Sequence, residues 1–174
     1  MKLQVRSRKR ERGFSLLETV LAAALMIVGI GGVMSMFTVG ANKNMSQGTQ
    51  ASRCTEYAQD KMEQLMALSF TDTSSNTTVV PTAATGGVGL TPGGSVYPAT
   101  FTANYVDFVT EGTGSSAAIF TTLQSNSAYE RQWSIVANAT DSNIVTITVT
   151  VQSLQSVDRG AAPLTTLVSM KTKF

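Results

Sequence analysis

The chain has 174 residues, of which 43% are hydrophobic, with a single cysteine and no histidine. The lack of histidine excludes Ser-His-Asp and Cys-His catalytic pairs, as well as zinc sites that need an imidazole ligand. A single cysteine excludes an intrachain disulfide, so any extracytoplasmic part must fold on its apolar core alone. The length is typical of one domain plus an appendage.

Charge is distributed unevenly along the chain. The net charge is +2, from 13 basic and 11 acidic residues, yet residues 1–13 hold six basic side chains and one acidic side chain. Residues 14–174 are therefore net acidic, at −3. A basic run alone is typical of a solvated or nucleic-acid-binding tail, and the sequence that follows it decides between such interpretations.

A long apolar run follows the basic segment. From Phe14 onward the only charge before Lys43 is Glu18. As a helix, the uncharged stretch 19–42 is roughly 36 Å long, against a hydrocarbon thickness of about 30 Å. Basic residues before the run favour an amino terminus in the cytoplasm. The pattern predicts a transmembrane helix over residues 14–42, with the remainder outside.

Two ordinary explanations of this run stay open. A cleaved secretory signal has a short apolar core before a small-residue site, which residues 22–24 imitate, although apolar sequence continues through Val39. A simple anchor fits the length but does not explain Glu18. An ionised carboxylate inside a bilayer costs roughly 2.5–3.5 kcal/mol or more, so such an acid usually has a partner and a task.

A specific motif, RGFSLLE, occupies residues 12–18. It resembles the class III signal of type IV prepilins and type II secretion pseudopilins, where a basic leader ends in glycine before phenylalanine and the mature helix carries glutamate at its fifth position. The resemblance covers residues 1 to about 42. It implies that 1–13 is a leader, that a prepilin peptidase cleaves between Gly13 and Phe14, and that Phe14 is then N-methylated.

The residue types of the motif suit this processing. Gly13 has no side chain, which lets a protease approach the peptide bond closely. The leader charges that would hold this bond at the cytoplasmic face are Arg8, Lys9, Arg10 and Arg12. After cleavage, Phe14 would carry an ammonium group among apolar helices. By resemblance to pilins, Glu18 neutralises the terminal amine of a neighbouring subunit during filament assembly.

Residues 43–70 are predicted to continue the helix in amphipathic form. Apolar side chains recur every three or four residues, at Ala51, Cys54, Ala58, Met62, Leu65 and Leu68. We expect Cys54 to be a small buried hydrophobe, and Met62 and Met66 to fill the core rather than bind metal. An unbroken helix over 14–68 would be roughly 80 Å long.

Residues 71–128 are rich in Ser, Thr and Gly and are predicted to be mainly surface loop, although a strand is favoured over a helix for 100–109. Residues 129–174 predict an antiparallel sheet with strands at 131–139, 144–152 and 164–170. In the second strand, one buried face holds Val145, Ile147, Val149 and Val151, and a wet face holds Thr146, Thr148, Thr150 and Gln152. The apolar face needs a cover, which the amphipathic helix supplies.

The predicted fold class is therefore α+β, with a long N-terminal helix packed on a small antiparallel β-sheet, which is also the pilin architecture. Residues 133–174 broadly resemble the sheet of PilV-type minor pilins and minor pseudopilins. The chain lacks the helix-kinking proline and the two stapling cysteines of major type IVa pilins. These departures favour a minor pilin or a pseudopilin.

The sequence thus predicts a minor pilin subunit of a type IV pilus, anchored in a bacterial inner membrane with its carboxy-terminal domain in the periplasm. The alternative is a minor pseudopilin of a type II secretion system, and the alternative of a different class is a single-span membrane-anchored binding module. The resemblance implies as partners a prepilin peptidase/methyltransferase, other pilins or pseudopilins, an inner-membrane assembly platform and the lipid bilayer. It implies no cofactor or metal.

Two further function classes are disfavoured. The remaining acids lie scattered in expected turns and strand edges, and none pairs with another to form a catalytic site; they are Asp107, Glu111, Glu130, Asp141 and Asp158. An enzyme is therefore not expected. Because the chain after the leader is net acidic and has no cluster of basic residues, strong nucleic-acid binding is not expected either.

Overall fold

The computed structural model describes residues 15–111, 118–155 and 161–173. Within them lie one helix and six strands: α1 Leu16–Ala67, β1 Gly93–Gly94, β2 Val106–Thr110, β3 Ile119–Phe120, β4 Ser127–Ala137, β5 Ile144–Ser153 and β6 Leu164–Thr172. The chain divides into two compact units, residues 1–44 and 45–174. The predicted leader, 1–13, lies outside the described residues, as does Phe14.

The first unit contains the apolar part of α1. Helix α1 begins just after Ser15, whose carbonyl oxygen accepts hydrogen bonds from the backbone N–H groups of Glu18 and Thr19. The hydroxyl groups of Ser35 and Thr38 donate to helix carbonyls at 2.8 and 3.0 Å, those of Gly32 and Met34. Such local bonds satisfy hydroxyl groups that would otherwise lack partners in an apolar surrounding.

The predicted continuation of the helix is confirmed, because α1 runs without interruption to Ala67. Its end is held by β6, whose Lys171 ammonium group donates to the carbonyl oxygens of Met66 and Leu68. A cation at this position satisfies the carbonyl groups that have no partner within the helix and interacts favourably with the helix dipole.

The sheet of the second unit is antiparallel and has the order β3-β2-β4-β5-β6, with β1 also paired to β4. The three predicted strands of residues 129–174 are confirmed as β4, β5 and β6, and the turn joining β4 to β5 is built on Asn138, whose side chain accepts from two backbone N–H groups. The strand favoured for 100–109 is confirmed only for its last four residues, which belong to β2, whereas residues 100–105 precede the strand. The sheet therefore extends into the range 71–128, which the sequence indicated as mainly loop.

The core lies between the second half of α1 and one face of this sheet. The predicted buried face of β5 is confirmed, since Val145 is 6% exposed and Ile147, Val149 and Val151 are fully buried. The opposite face of β5 is less exposed to solvent than predicted. Thr150 is buried, and Thr146, Thr148 and Gln152 are half-buried.

Helix α1 contributes Cys54, Ala58 and Leu65 to this core, all with no exposed surface. The expectation for Cys54 is confirmed, and burial raises the pKa of its thiol to about 11. Met62 packs partly buried against the core as expected. Ala51 was predicted on the same face and Met66 was predicted to fill the core, but both are exposed, because the buried stripe passes instead through Tyr57 and Lys61.

The segment between α1 and β1 is more ordered than a solvated loop. The carboxylate of Asp72 accepts hydrogen bonds from the backbone N–H groups of Ser74 and Ser75 at 3.0 and 2.9 Å, and from the Ser75 hydroxyl at 2.6 Å. Gly87 packs against the backbone of Ser75, so that a Cβ added at Gly87 would lie 2.4 Å from the carbonyl oxygen of Ser75. Such side-chain bonds to backbone replace the missing ladder of a regular element.

Candidate functional site

The first candidate site is the apolar surface of α1 in the first unit. Every described residue from Ser15 to Thr49 is exposed. The exposed side chains include large apolar ones: Leu16 is 82% exposed, Val28 is 74% exposed and Phe37 is 75% exposed. Within the described residues, α1 is the one helix long and apolar enough to cross a membrane, and it lies near the amino terminus. These properties are consistent with a single-pass membrane protein.

Glu18 lies in the first turn of this helix and is exposed. It is the only charged residue between Leu16 and Asn42. A carboxylate at this position interacts favourably with the positive end of the helix dipole, worth about 0.3–1 kcal/mol at an exposed site in water. The other residues predicted to act in processing lie outside the described residues; they are Arg8, Lys9, Arg10, Arg12, Gly13 and Phe14.

The second candidate site is a buried ion cluster in the second unit, which the sequence reasoning missed. Asp107 in β2 lies directly opposite Arg131 in β4, and the two side chains form a bidentate pair, with Arg131 Nε to Asp107 Oδ1 at 2.6 Å and Arg131 Nη2 to Oδ2 at 2.9 Å. Helix α1 completes the cluster, because Lys61 Nζ lies 2.7 Å from Asp107 Oδ2. Asp107 and Lys61 have no exposed surface, and Arg131 is 2% exposed.

Lys61 has three further partners. Its ammonium group donates to the side-chain oxygen of Gln64 at 2.6 Å and to the carbonyl oxygen of Thr77, and it lies 4.4 Å from the ring centre of Trp133. Gln64 in turn donates to the carbonyl oxygen of Val79 at 3.0 Å. The cluster therefore connects the helix, two strands and the 71–91 segment through one buried charge.

Two cations and one anion give this cluster a formal charge of +1 in the protein interior. Burial is the main cause that lowers the pKa of Lys61, from an ordinary value of 10.5 to about 8; Asp107 opposes the shift and Arg131 adds to it. Ionised groups buried away from water are stable only when hydrogen bonds and opposite charges satisfy them. The three charged groups of this cluster have such partners. The arrangement fixes how the helix lies on the sheet, and no substrate is needed to explain it.

The lowered pKa of Lys61 predicts a rise in stability with pH. Above pH 8 the folded chain releases the Lys61 proton while the unfolded chain keeps it until about 10.5, so the unfolded state binds more protons and stability increases. The slope is at most about 1.4 kcal/mol per pH unit. Cys54 has its thiol pKa raised from 9.0 to about 11, which acts in the opposite direction above pH 9.

Lys171, whose pKa is also lowered by burial, and Cys54 are both present in a Lys61→Met variant, so the difference between wild type and that variant from pH 8 to 9 isolates the contribution of Lys61. We expect the free energy of unfolding of the full chain in detergent to rise across this window when measured by chemical denaturation. The Lys61→Met variant should show a smaller rise, because it lacks the Lys61 titration. An equal rise in both proteins would contradict the assignment of this titration to Lys61.

The cluster borders a groove of about 610 Å³ beside α1. Arg131 and Val109 line it from the sheet, Asp60 lines it from the helix, and Pro81 lines it from the following segment. In the three described ranges, no group of three or more Cys, Asp or Glu side chains is placed to hold a metal ion.

The placement of Asp107 corrects an interpretation made from the sequence, which put this acid among turns and strand edges. It lies inside the sheet, in a strand whose five residues are all buried. A signal was present: Lys61 falls between Ala58 and Leu65 on the apolar stripe of the helix, and Asp107 and Arg131 each interrupt a hydrophobic β pattern. Inward-facing charges of opposite sign indicate a buried pair.

No family model matches this chain, and neither a curated protein nor a solved structure matches it.

Proposed function

We propose that this chain is a minor pilin subunit of a type IV pilus, inserted in an inner membrane by its amino-terminal helix and assembled into a filament through the same helix. The observation that carries the proposal is the combination of an exposed apolar helical segment, residues 16–42, with one acid in its first turn, Glu18, which is the last residue of the RGFSLLE motif. The proposal includes processing between Gly13 and Phe14.

The energetics of Glu18 favour this function over a plain membrane anchor. A single-span anchor needs no acid in its apolar run, and an ionised one costs roughly 2.5–3.5 kcal/mol or more at the bilayer interior. In a filament the acid has a partner, since cleavage creates a positively charged amino group on Phe14. A charge pair in an apolar bundle specifies which subunit end meets which helix, because a misplaced copy leaves both charges unpaired.

The exposed apolar side chains support the second half of the proposal. Surface of this size on one helix is covered by lipid before assembly and by other helices in a filament, and both environments remove it from water. The apolar part of α1 has four glycines with nothing within 4 Å of an added Cβ, which leaves room for close approach of a neighbouring helix; they are Gly29, Gly31, Gly32 and Gly40.

In the second unit, the buried ion cluster gives the proposed subunit a rigid attachment between helix and sheet. Lys61 and Gln64 anchor the segment after the helix as well as the helix itself. We propose that this domain is the periplasmic part of the subunit. A minor pseudopilin of a type II secretion system would use the same helix and the same processing, and isolation of the chain from sheared surface pili would favour the pilus.

Processing provides the direct test. When the full chain is produced together with a prepilin peptidase, we expect intact-mass spectrometry to show loss of residues 1–13 and one added methyl group on Phe14. The matched control is Gly13→Leu, which blocks close approach to the peptide bond and should remain at full length. A wild-type chain that keeps its first thirteen residues would contradict the proposal and favour the membrane-anchored binding module.

A further inference from the structure

The outer edge of β6 is a strand edge without the usual protection. Strand β6 is the last in the sheet order, and no described segment pairs with it on the side away from β5. It is nine residues long, with one charged residue, Lys171, and no proline. Natural edge strands are commonly guarded by an exposed charge, a proline, a bulge or a cover.

Lys171, the one charged residue of β6, does not place its charge where it would prevent pairing of another strand at this edge. The ammonium group of Lys171 donates to the carbonyl oxygens at the end of α1, so the side chain lies on the covered face of the sheet. The exposed face of β6 carries apolar side chains instead: Leu164 is 45% exposed, Val168 is 63% exposed and Met170 is 67% exposed.

The hydrogen-bond pattern shows which backbone groups point outward. Ser153 donates to the carbonyl oxygen of Pro163, and Lys173 donates to that of Asn143, at the two ends of the β5–β6 pair. Bonded pairs recur every second residue in an antiparallel ladder, so the odd-numbered residues of β6 bond to β5. The N–H and C=O groups directed to the open edge therefore belong to residues 164, 166, 168, 170 and 172.

We propose that this edge pairs with the same edge of a second copy of the chain, antiparallel and centred on Val168. Of all two-fold registers, only this one brings all five outward residues opposite one another: Val168 faces Val168, Thr166 faces Met170 and Leu164 faces Thr172. No like charges meet, since Lys171 lies opposite Thr165. The two sheets then form one continuous sheet across a two-fold axis.

Self-complementarity is what identifies the occupant as a second copy. Among the outward residues of β6 a foreign strand finds no charge to recognise, whereas the identical strand pairs all five of them and places apolar or threonine side chains opposite each other. The inference concerns residues 164–172 and does not depend on removal of residues 1–13, so its failure is distinguishable from failure of the proposed function.

Disulfide trapping tests the pairing and its register in the full chain in membranes. Bonded antiparallel residues lie about 5.5 Å apart at Cα, which suits a disulfide. Under mild oxidation we expect Val168→Cys to form a homodimer, whereas Thr166→Cys and Met170→Cys form none alone but do cross-link to each other when produced together. Wild type is the control, because its only thiol, Cys54, is buried.

A charge variant tests edge pairing against stacking of the exposed sheet faces. We expect Val168→Lys to raise the dimer dissociation constant, measured by analytical ultracentrifugation in detergent, by at least roughly tenfold, or about 1.4 kcal/mol. The matched control is Val136→Lys, on the same face of the sheet in β4 and 58% exposed, which should leave the dimer intact. Both variants are exposed, and circular dichroism verifies their folding.

Four outcomes would overturn the proposal. The first is absence of a Val168→Cys dimer, and the second is equal cross-linking of all three variants with an added cysteine, which indicates random collision. The third is a Val168→Cys cross-link to a different protein and not to itself, which would assign the edge to a foreign strand. Equal loss of dimer in both lysine variants would assign the contact to the sheet face.

Discussion

Replacing Asp107 by asparagine should lower the free energy of unfolding of the second unit by about 3–5 kcal/mol, because it leaves two buried cations without an anion. Lys61 and Arg131 would then face each other in a space with no exposed surface on the lysine. Their present positions depend on this carboxylate, which accepts from Arg131 at both oxygens and from Lys61 at one. Chemical denaturation of the full chain in detergent measures the loss.

The matched control is Asp60→Asn, which removes an acid of the same type from the exposed face of α1. A surface acid of this kind is expected to contribute less than about 1 kcal/mol. The triple variant Lys61→Met, Asp107→Leu, Arg131→Met removes all three charges together and should regain most of the loss, because apolar replacements of buried ion groups are often neutral. A small effect of Asp107→Asn, similar to that of Asp60→Asn, would contradict the role assigned to the cluster.

Hydrophobic periodicity was sufficient to predict the elements in which one regular repeat of apolar residues faces the core. The amphipathic stretch 43–68 and the strand over 144–152 each repeat one pattern for many residues, and they are confirmed as the second part of α1, which ends at Ala67, and as β5. In β5, the alternation of valine and isoleucine with threonine fixes which side faces the helix. Long repeats of this kind leave few alternatives, since a shift of one residue would expose the whole apolar set.

Features that depend on contacts distant in sequence were not predictable in the same way. The position of Ala51 on the apolar stripe suggested burial, but the sheet covers the helix only from Cys54 onward in this stripe. Lys61 was not recognised as a core residue because a lysine is rarely buried without a partner. Its partner Asp107 is 46 positions away, and although Asp107 interrupts a hydrophobic β pattern, that interruption does not indicate which cation it pairs with.

The residues of the first candidate site could be listed from the sequence alone, whereas those of the second could not. Glu18 and its neighbours form a contiguous motif, so residue order alone specified the site, and the structure adds that Glu18 lies exposed in a first helical turn. The ion cluster is assembled from a helix and two strands by tertiary packing. A pattern of inward charges hints at it, but only the register that places Asp107 opposite Arg131 defines it.

Glu18→Ala is expected to separate membrane insertion from assembly under the proposed function. Removing the carboxylate extends the uncharged apolar stretch of the helix and makes its insertion into lipid more favourable. Insertion and cleavage after Gly13 should therefore continue. The ammonium group created on Phe14 would then enter an apolar bundle without a counterion, at a cost of several kcal/mol. We expect the amount of the variant in sheared filaments to fall at least about tenfold, which corresponds to 1.4 kcal/mol.

Three comparisons make this result specific to the charge at that position. Glu18→Gln keeps the size and polarity of the side chain but not its charge, and should fail as Glu18→Ala does, whereas Glu18→Asp keeps the charge and should retain part of the incorporation. Glu63→Ala removes an exposed acid from the part of α1 that lies in the second unit, and this variant should assemble normally. If Glu18→Gln enters filaments as well as wild type, hydrogen bonding or shape rather than charge neutralisation determines docking, and the assembly mechanism proposed for Glu18 is wrong.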